Sequence, residues 1–334
     1  MNLNKFHRIT ISGGGSWATA LTKIFAESGV HVCWHLRSDA HVEQIREKGR
    51  NPNYLSYLEL PMENIHPVSD FEEAARAADH ILFAIPSAYL EASLGKTDPE
   101  LLQDKKVIVS IKGVVTSDNL LPTDYLSQRF QLEDSSLAVI GGPCHAEEIA
   151  MERKTYVTVA SRNNELAETV AGSITSHYIR TVINNDPLGV EYSAILKNVI
   201  GIACGIAHGL NYGDNFQAVI VSNALREIKH FLEIMHPLER DLSQSAYFGD
   251  LLVTAYSEFS RNRTFGHMIG RGYTVQLAHM QMNMVAEGYF AVKGIYDMSR
   301  QIGLEMPLVS AVYRILYNHI SPYIEFKLLE NKLI

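Results

Sequence analysis

Near its N-terminus the chain carries Gly13-Gly14-Gly15-Ser16-Trp17-Ala18, set between two patterned segments. Before it, Arg8-Ile9-Thr10-Ile11 reads as a β-strand. After it, Trp17, Ala20, Leu21, Ile24 and Phe25 fall at helical spacing, which predicts a helix over 16–28. Strand, glycine turn and helix N-terminus in that order fit G-x-G-x-x-G/A, with Ala18 in the third slot. Gly13 permits the tight turn, Gly15 lets the backbone approach a pyrophosphate, and Ala18 keeps helix and strand close. Amides at the helix start, from Ser16 and Trp17 onward, can hold phosphate oxygens. A chain that opens this way reads as a βαβ unit of a largely parallel sheet, and the loop as a dinucleotide site; a glycine turn that holds no ligand is the other reading.

The second strand, His31-Val32-Cys33-Trp34, bears on which dinucleotide. A site selective for NAD places Asp or Glu at the end of this strand, against the ribose 2′-hydroxyl. Here the strand runs out as His35-Leu36-Arg37-Ser38, and the first carboxylate, Asp39, lies beyond it. Arg37 is placed to pair with a 2′-phosphate through charge-assisted hydrogen bonds. NADP(H) is therefore favoured, with NAD(H) possible; a plain solvated charge is the other reading of Arg37.

The same alternation continues along the first half. Further strands are expected at 81–85, 107–111, 137–140, 156–160 and 178–183, with helical stretches between most of them. The segment from Asn51 to Pro67 carries three prolines and reads as a long rim loop. After Pro187 no strand pattern is found. Residues 188–208, 215–235, 274–302 and 307–320 read as helices. The expected organisation is a Rossmann-type, doubly wound α/β domain over 1–187 that binds the nucleotide. An all-helical substrate and catalytic domain follows over 188–334. No Pro/Ser/Gly linker separates them, so close packing around a cleft is expected.

Composition narrows the class. Of 334 residues, 46% are hydrophobic, enough for two sizeable cores and too many for a disordered chain. The net charge is −8, whereas a general nucleic-acid binder leans basic. Cys33, Cys144 and Cys204 are far apart and cannot all pair, which fits a reducing compartment. No signal peptide is read at the start, and the weakly polar run Ala194–Ala207 is judged too short and too polar to span a bilayer. A cytoplasmic protein without stable membrane insertion is expected. The 14 histidines include no HExxH and no tight cluster, so no metal site is expected.

Other polar groups gather where ligands sit in such sheets, at the carboxyl ends of strands. These are Ile85-Pro86-Ser87, Ile111-Lys112-Gly113 and Gly141-Gly142-Pro143-Cys144-His145-Ala146. Lys112 brings a positive charge there. In the helical half, Lys197 and Asn198 interrupt an apolar run. A lysine so placed either snorkels to the edge or faces a cleft, where desolvation lowers its pKa and fits it for acid–base work. Asp250 sits in a turn, and Ser260-Arg261-Asn262-Arg263 offers a hydroxyl, two guanidinium groups and an amide. That set suits a phosphate; an ordinary polar helix end is the alternative. A basic cleft in an acidic chain is physically reasonable, because clefts focus local fields.

Taken in order, these motifs resemble the bacterial-type NAD(P)-dependent glycerol-3-phosphate dehydrogenase family, over nearly the whole chain. The resemblance rests on 13–21, Ile-Pro-Ser at 85–87, Lys-Gly at 112–113 and Gly-Pro at 142–143. It continues with Leu-Lys-Asn-Val at 196–199, Tyr-Gly-Asp-Asn at 212–215 and Gly-Asp at 249–250. Ser-Arg-Asn-Arg at 260–263 and Glu-Gly at 287–288 complete it. It implies hydride transfer between NAD(P)H and dihydroxyacetone phosphate, giving sn-glycerol 3-phosphate for phospholipid synthesis. Lys197 would be the general acid/base. Lys112, Gly142, Cys144, Asp250, Ser260, Arg261 and Asn262 would join it around the substrate. Ser16, Trp17, Arg37, Tyr54, Lys112, Ala146, Arg261, Val285 and Glu287 would line the cofactor site with Gly13 and Gly15. Two departures from the family pattern stand out: Cys144 where a hydroxyl residue is commoner, and Ala18 where Gly is usual. A thiol is a weaker donor than a hydroxyl. A homodimer is the expected assembly. Two rival readings remain, another dehydrogenase of this architecture acting on a hydroxy acid, and a nucleotide-binding sensor without turnover.

Overall fold

The computed structural model describes residues 5–115, 119–282 and 286–334. Its contacts divide it into two compact units. One takes the chain up to Ile85, then Tyr89–Ile111 and Pro122–Pro187; the other takes Pro86–Ala88, Lys112–Leu121 and Leu188–Ile334.

The first unit is built on β1 (Arg8–Ser12), α1 (Ser16–Glu27), β2 (His31–His35), α2 (Asp39–Lys48), β3 (Ile65–Val68), α3 (Phe71–Arg76) and β4 (His80–Phe83). It continues through α4 (Ser87–Leu94), β5 (Lys106–Val109), α5 (Pro122–Phe130), β6 (Leu137–Gly141), α6 (Ala146–Ala150), β7 (Thr155–Ala160), α7 (Asn164–Ile174) and β8 (Ile179–Asn184). The eight strands form one sheet in the order β3-β2-β1-β4-β5-β6-β7-β8. All neighbours run parallel except β6 and β7, which pair antiparallel with Ile140 opposite Val159. Parallel strands are apolar on both faces because helices cover both, and Ile9, Ile11, Val32 and Trp34 are all buried.

One strand escapes the sequence reading. The segment read as loop through Pro67 ends in β3, where Trp34 pairs with Pro67. Proline has no N–H to give a second neighbour, and β3 lies at the sheet's edge, where none is required.

The second unit contains α8 (Pro187–Gly209), α9 (Asp214–Met235), α10 (Asp250–Tyr256), α11 (Arg261–Gly270), α12 (Val275–Gln281), α13 (Glu287–Gln301), α14 (Pro307–Tyr317) and α15 (Pro322–Leu329). Helix α8 is its spine: Val199, Ile202 and Ile206 are buried in one cluster with Phe231, Phe265, Ile295 and Val312. At 23 residues with a mean hydropathy of 1.4 over its best window, α8 is long and apolar enough to cross a membrane by length and composition alone; the run 194–207 is only part of it. That window is wholly buried inside the protein, and a helix covered all round by other helices needs this composition.

The single helix expected over 274–302 is two. Thr274 caps α12 by accepting from the Leu277 N–H, and α13 starts afresh at Glu287. The Gly288 N–H, one of the orphan donors of α13's first turn, is satisfied at 2.9 Å by Asn262 Oδ1 of α11. Periodicity within one segment carries no information about a partner on another helix.

Candidate active site

The glycine loop is shaped by its surroundings. Gly13 has φ +142°, and a Cβ there would lie 2.4 Å from the Ala84 carbonyl oxygen, so only glycine fits. Trp34 Nε1 donates to the Gly13 carbonyl at 2.7 Å, and Asn51 Nδ2 donates to the Gly14 carbonyl at 3.0 Å. His41 Nε2 lies 2.9 Å from Asn51 Oδ1 and orients that amide. Gly15 is the N-cap of α1 and contributes no side-chain cap, and nothing lies within 4 Å of where its Cβ would be. The space beside Gly15 at the N-terminus of α1 is open, as the approach of a pyrophosphate requires, so the loop fits a dinucleotide. Ser16 is buried at the first helical position. Trp17 Nε1 donates to Ser110 Oγ at 2.7 Å, and Ser110 Oγ donates to the Ile140 carbonyl. The ends of β5 and β6 are thereby tied to the loop.

Other residues assigned to the cofactor lie on the same unit. Arg37 is exposed just beyond β2 and makes no hydrogen bond or ion pair among the described residues. Tyr54 is half-buried in the loop after α2. Gly142 follows β6 with φ +100°, Cys144 Sγ donates to the Gly142 carbonyl at 3.0 Å, and Ala146 opens α6. Val285 lies outside the described residues.

The polar groups of the second unit form a separate cluster. Lys197, 6% exposed on α8, donates from Nζ to Asp250 Oδ1 at 2.5 Å and to Thr254 Oγ1 at 3.0 Å. Asp250 is 1% exposed, and its second oxygen, Oδ2, is buried without a partner. A short π-helical stretch, Ser245–Gly249, leads directly into α10 at Asp250; such stretches recur at functional sites. Asn198 Nδ2 donates to the Lys112 carbonyl at 2.9 Å, which brings the segment after β5 onto α8. Ser260 caps α11 by accepting from the Arg263 N–H, and Asn262 is buried beside Gly288. Arg261, between them, is exposed.

Glu287, half-buried at the start of α13, completes the cluster. Burial pushes its carboxyl above the usual range; the charges of Arg261, Lys112 and Lys197 pull the other way. Three cations, Lys112, Lys197 and Arg261, against two carboxylates, Asp250 and Glu287, leave the cluster net positive. A buried Lys–Asp pair with one oxygen unused is costly as pure structure and useful where a hydroxyl is to be held.

The structure therefore brings Lys112, Lys197, Asp250, Ser260, Arg261, Asn262 and Glu287 onto one unit, and Gly13, Gly15, Ser16, Trp17, Arg37, Tyr54, Gly142, Cys144 and Ala146 onto the other. The Ser-Arg-Asn-Arg segment does not act as one group. Two residues apart on a helix, Arg261 and Arg263 face roughly opposite ways, and Arg263 Nε is buried without a hydrogen-bond partner among the described residues. Thr254 was not singled out from the sequence. Its signal was there: four residues after Asp250, it shares the same face of α10.

The fold and these two clusters define a class: a dehydrogenase of the Rossmann type with a helical second unit. Family models described as the N-terminus and C-terminus of NAD-dependent glycerol-3-phosphate dehydrogenase match residues 8–167 and 186–326. The glycerol-3-phosphate dehydrogenase [NAD(P)+] 2 of Salinibacter ruber is 36% identical over 94% of this chain and 91% of its own. The glycerol-3-phosphate dehydrogenase [NAD(P)+] of Shouchella clausii is 33% identical over 95% and 93%. The crystal structure of the Coxiella burnetii glycerol-3-phosphate dehydrogenase superposes with a TM-score of 0.91 at 27% identity, covering 97% and 98%. The chain belongs to the NAD(P)-dependent glycerol-3-phosphate dehydrogenase family.

Proposed function

We propose that this chain catalyses reversible hydride transfer between NAD(P)H and C2 of dihydroxyacetone phosphate, forming sn-glycerol 3-phosphate. The observation that carries the reading is the buried Lys197–Asp250 pair, with its unused Oδ2, beside the cations Lys112 and Arg261 in a chain of this family. Bound NAD(P)H supplies the hydride. The Lys197 ammonium donates its proton to the oxygen on C2 as the alkoxide develops, and in the reverse direction the neutral amine takes it back. Asp250 Oδ1 and Thr254 Oγ1 fix the position of Nζ, and Oδ2 accepts from the substrate's free hydroxyl. Arg261, Asn262 and Lys112 hold the phosphate and so bring C2 to near-attack distance. Gly142 and Cys144 are assigned to the substrate, the thiol giving a weaker contact than a hydroxyl would.

On the nucleotide side, Gly13, Gly15, Ser16 and Trp17 cradle the pyrophosphate, with Tyr54, Ala146, Val285 and Glu287 around the rest. Arg37 selects for a 2′-phosphate, favouring NADP(H). Residues 1–187 act as the nucleotide domain and 188–334 as the substrate domain. The assembly is a homodimer in the cytoplasm, its product supplies phospholipid backbones, and neither nucleic acid nor membrane insertion has a role.

The test follows the near-ultraviolet absorbance of reduced nicotinamide with dihydroxyacetone phosphate, NADPH against NADH, and unphosphorylated dihydroxyacetone as control. Oxidation only with the phosphate ester is expected. A folded protein that binds NADPH and oxidises it with neither ketone would overturn the proposal.

A further inference from the structure

Away from the polar cluster, two histidines meet where α8 and α11 end. His208 Nδ1 and His267 Nδ1 lie 3.0 Å apart, with ring centroids at 4.8 Å. His208 is exposed and His267 half-exposed, so the pair is open to solvent.

Their spacing is set by backbone. Helices α8 and α11 touch without intervening side chains. A Cβ on Gly205 would lie 2.7 Å from the His267 nitrogen, and one on Gly209 would lie 2.5 Å from the His267 carbonyl oxygen. A Cβ on Gly270 would lie 2.4 Å from the Ile206 carbonyl oxygen. The two imidazoles therefore project from a seam that cannot slide without steric conflict.

Two imidazole nitrogens bound to one late first-row metal ion at about 2.0–2.1 Å, and 3.0 Å apart, subtend an angle of roughly 91–97°. That is the cis angle of tetragonal Cu(II) or Ni(II) coordination and is narrow for tetrahedral zinc. We propose that His208 and His267 form a bidentate site for a tetragonal divalent ion, Cu(II) or Ni(II), with water in the remaining positions. On binding, the proton between the two Nδ1 atoms moves by tautomerisation to Nε2 of the ring that donated it, so both imidazoles stay neutral with their protons on Nε2 and both Nδ1 lone pairs face the ion.

The surroundings bear on affinity in two directions. The solvent-open position of both rings leaves room for water in the other coordination positions, while Arg263 and Arg271 stand on the same stretch of chain as His267. The same two guanidinium groups repel a cation. No group of three or more metal-ligating side chains exists among the described residues, so the protein supplies two ligands only. Binding is accordingly of micromolar rather than structural strength. Bound ion clamps α8 to α11 and stabilises the folded protein by mass action.

The experiment is thermal unfolding of the full chain with and without micromolar NiCl₂, on wild type, His208→Asn and His267→Asn. A rise in Tm of roughly 2–4 °C is expected in wild type and none in either variant. Both residues lie outside the active-site cluster, so each variant should keep the wild-type kcat without metal. Electron paramagnetic resonance with one equivalent of Cu(II) should show two nitrogen ligands in wild type and one fewer in each variant. An equal Tm shift in all three proteins, binding at millimolar metal only, or a spectrum unchanged by both substitutions overturns the site.

Discussion

The Lys197 ammonium sits 2.5 Å from one oxygen of Asp250, while the other oxygen of the same carboxylate is buried with no hydrogen-bond partner among the described residues. One residue thus anchors the proton carrier and keeps an acceptor in reserve. The ion pair offsets the burial of a lysine that is 6% exposed in a helical core, and the spare oxygen is poised for a hydroxyl group.

Lys197→Ala should lower kcat by about 10²–10⁴-fold, the usual worth of a positioned acid or base, while NADPH affinity stays near wild type. Steady-state kinetics alongside fluorescence titration of NADPH check both halves. A variant with near-normal kcat would remove Lys197 from the proton-transfer step.

Asp250→Ala leaves a buried ammonium without its counter-ion and should destabilise the fold by about 3–5 kcal/mol in denaturant titration. Replacing both partners, Lys197→Met with Asp250→Leu, should recover most of that stability and none of the activity. Joint loss without recovery would point to overpacking rather than charge.

Arg37 is exposed and has no hydrogen bond or ion pair among the described residues, so Arg37→Ala should leave the fold intact. A charge-assisted contact to a phosphate is worth about 1.5–3 kcal/mol, so the ratio of kcat/KM for NADPH over NADH should fall about tenfold or more. An unchanged ratio would make Arg37 an ordinary surface charge.

Arg261→Ala should raise KM for dihydroxyacetone phosphate and affect kcat less. Saturation at wild-type substrate concentrations would refute its phosphate role.

Glu227 offers a pH test. Its carboxyl is buried in α9 and accepts from the Leu308 and Val309 N–H groups at the start of α14. Burial pushes its pKa up to about 8, against the pull of those two hydrogen bonds. Between the ordinary carboxyl range and about 8 the folded state holds a proton that the unfolded state has released, so stability should fall as pH rises through that window. Glu227→Gln should flatten the dependence. An equally steep profile in the variant would assign it to other groups.

Much of the first unit is legible in the sequence because its signals are local. The strand–glycine–helix opening, the alternation of apolar runs and the missing carboxylate after β2 each lie within a few residues. The β3 strand was missed because proline argues against a strand, unless that strand is at an edge, and edge position is a property of the whole sheet. The single helix read over 274–302 failed for a related reason: what starts α13 at Glu287 is an amide on Asn262.

The sequence by itself determined the parts: the phosphate-binding loop, the polar residues Lys197, Asp250 and Ser260–Asn262, and the apolar stripes that oblige α8 to be covered. Only the tertiary structure decided the pairings. It set Asp250 and Thr254 against Lys197 across 53 and 57 residues of chain, drew Lys112 onto Asn198, and placed His208 against His267. Periodicity fixes which face of a helix is apolar, but it does not fix which helix covers that face or at what register. Hydrogen bonds between distant residues follow from that register.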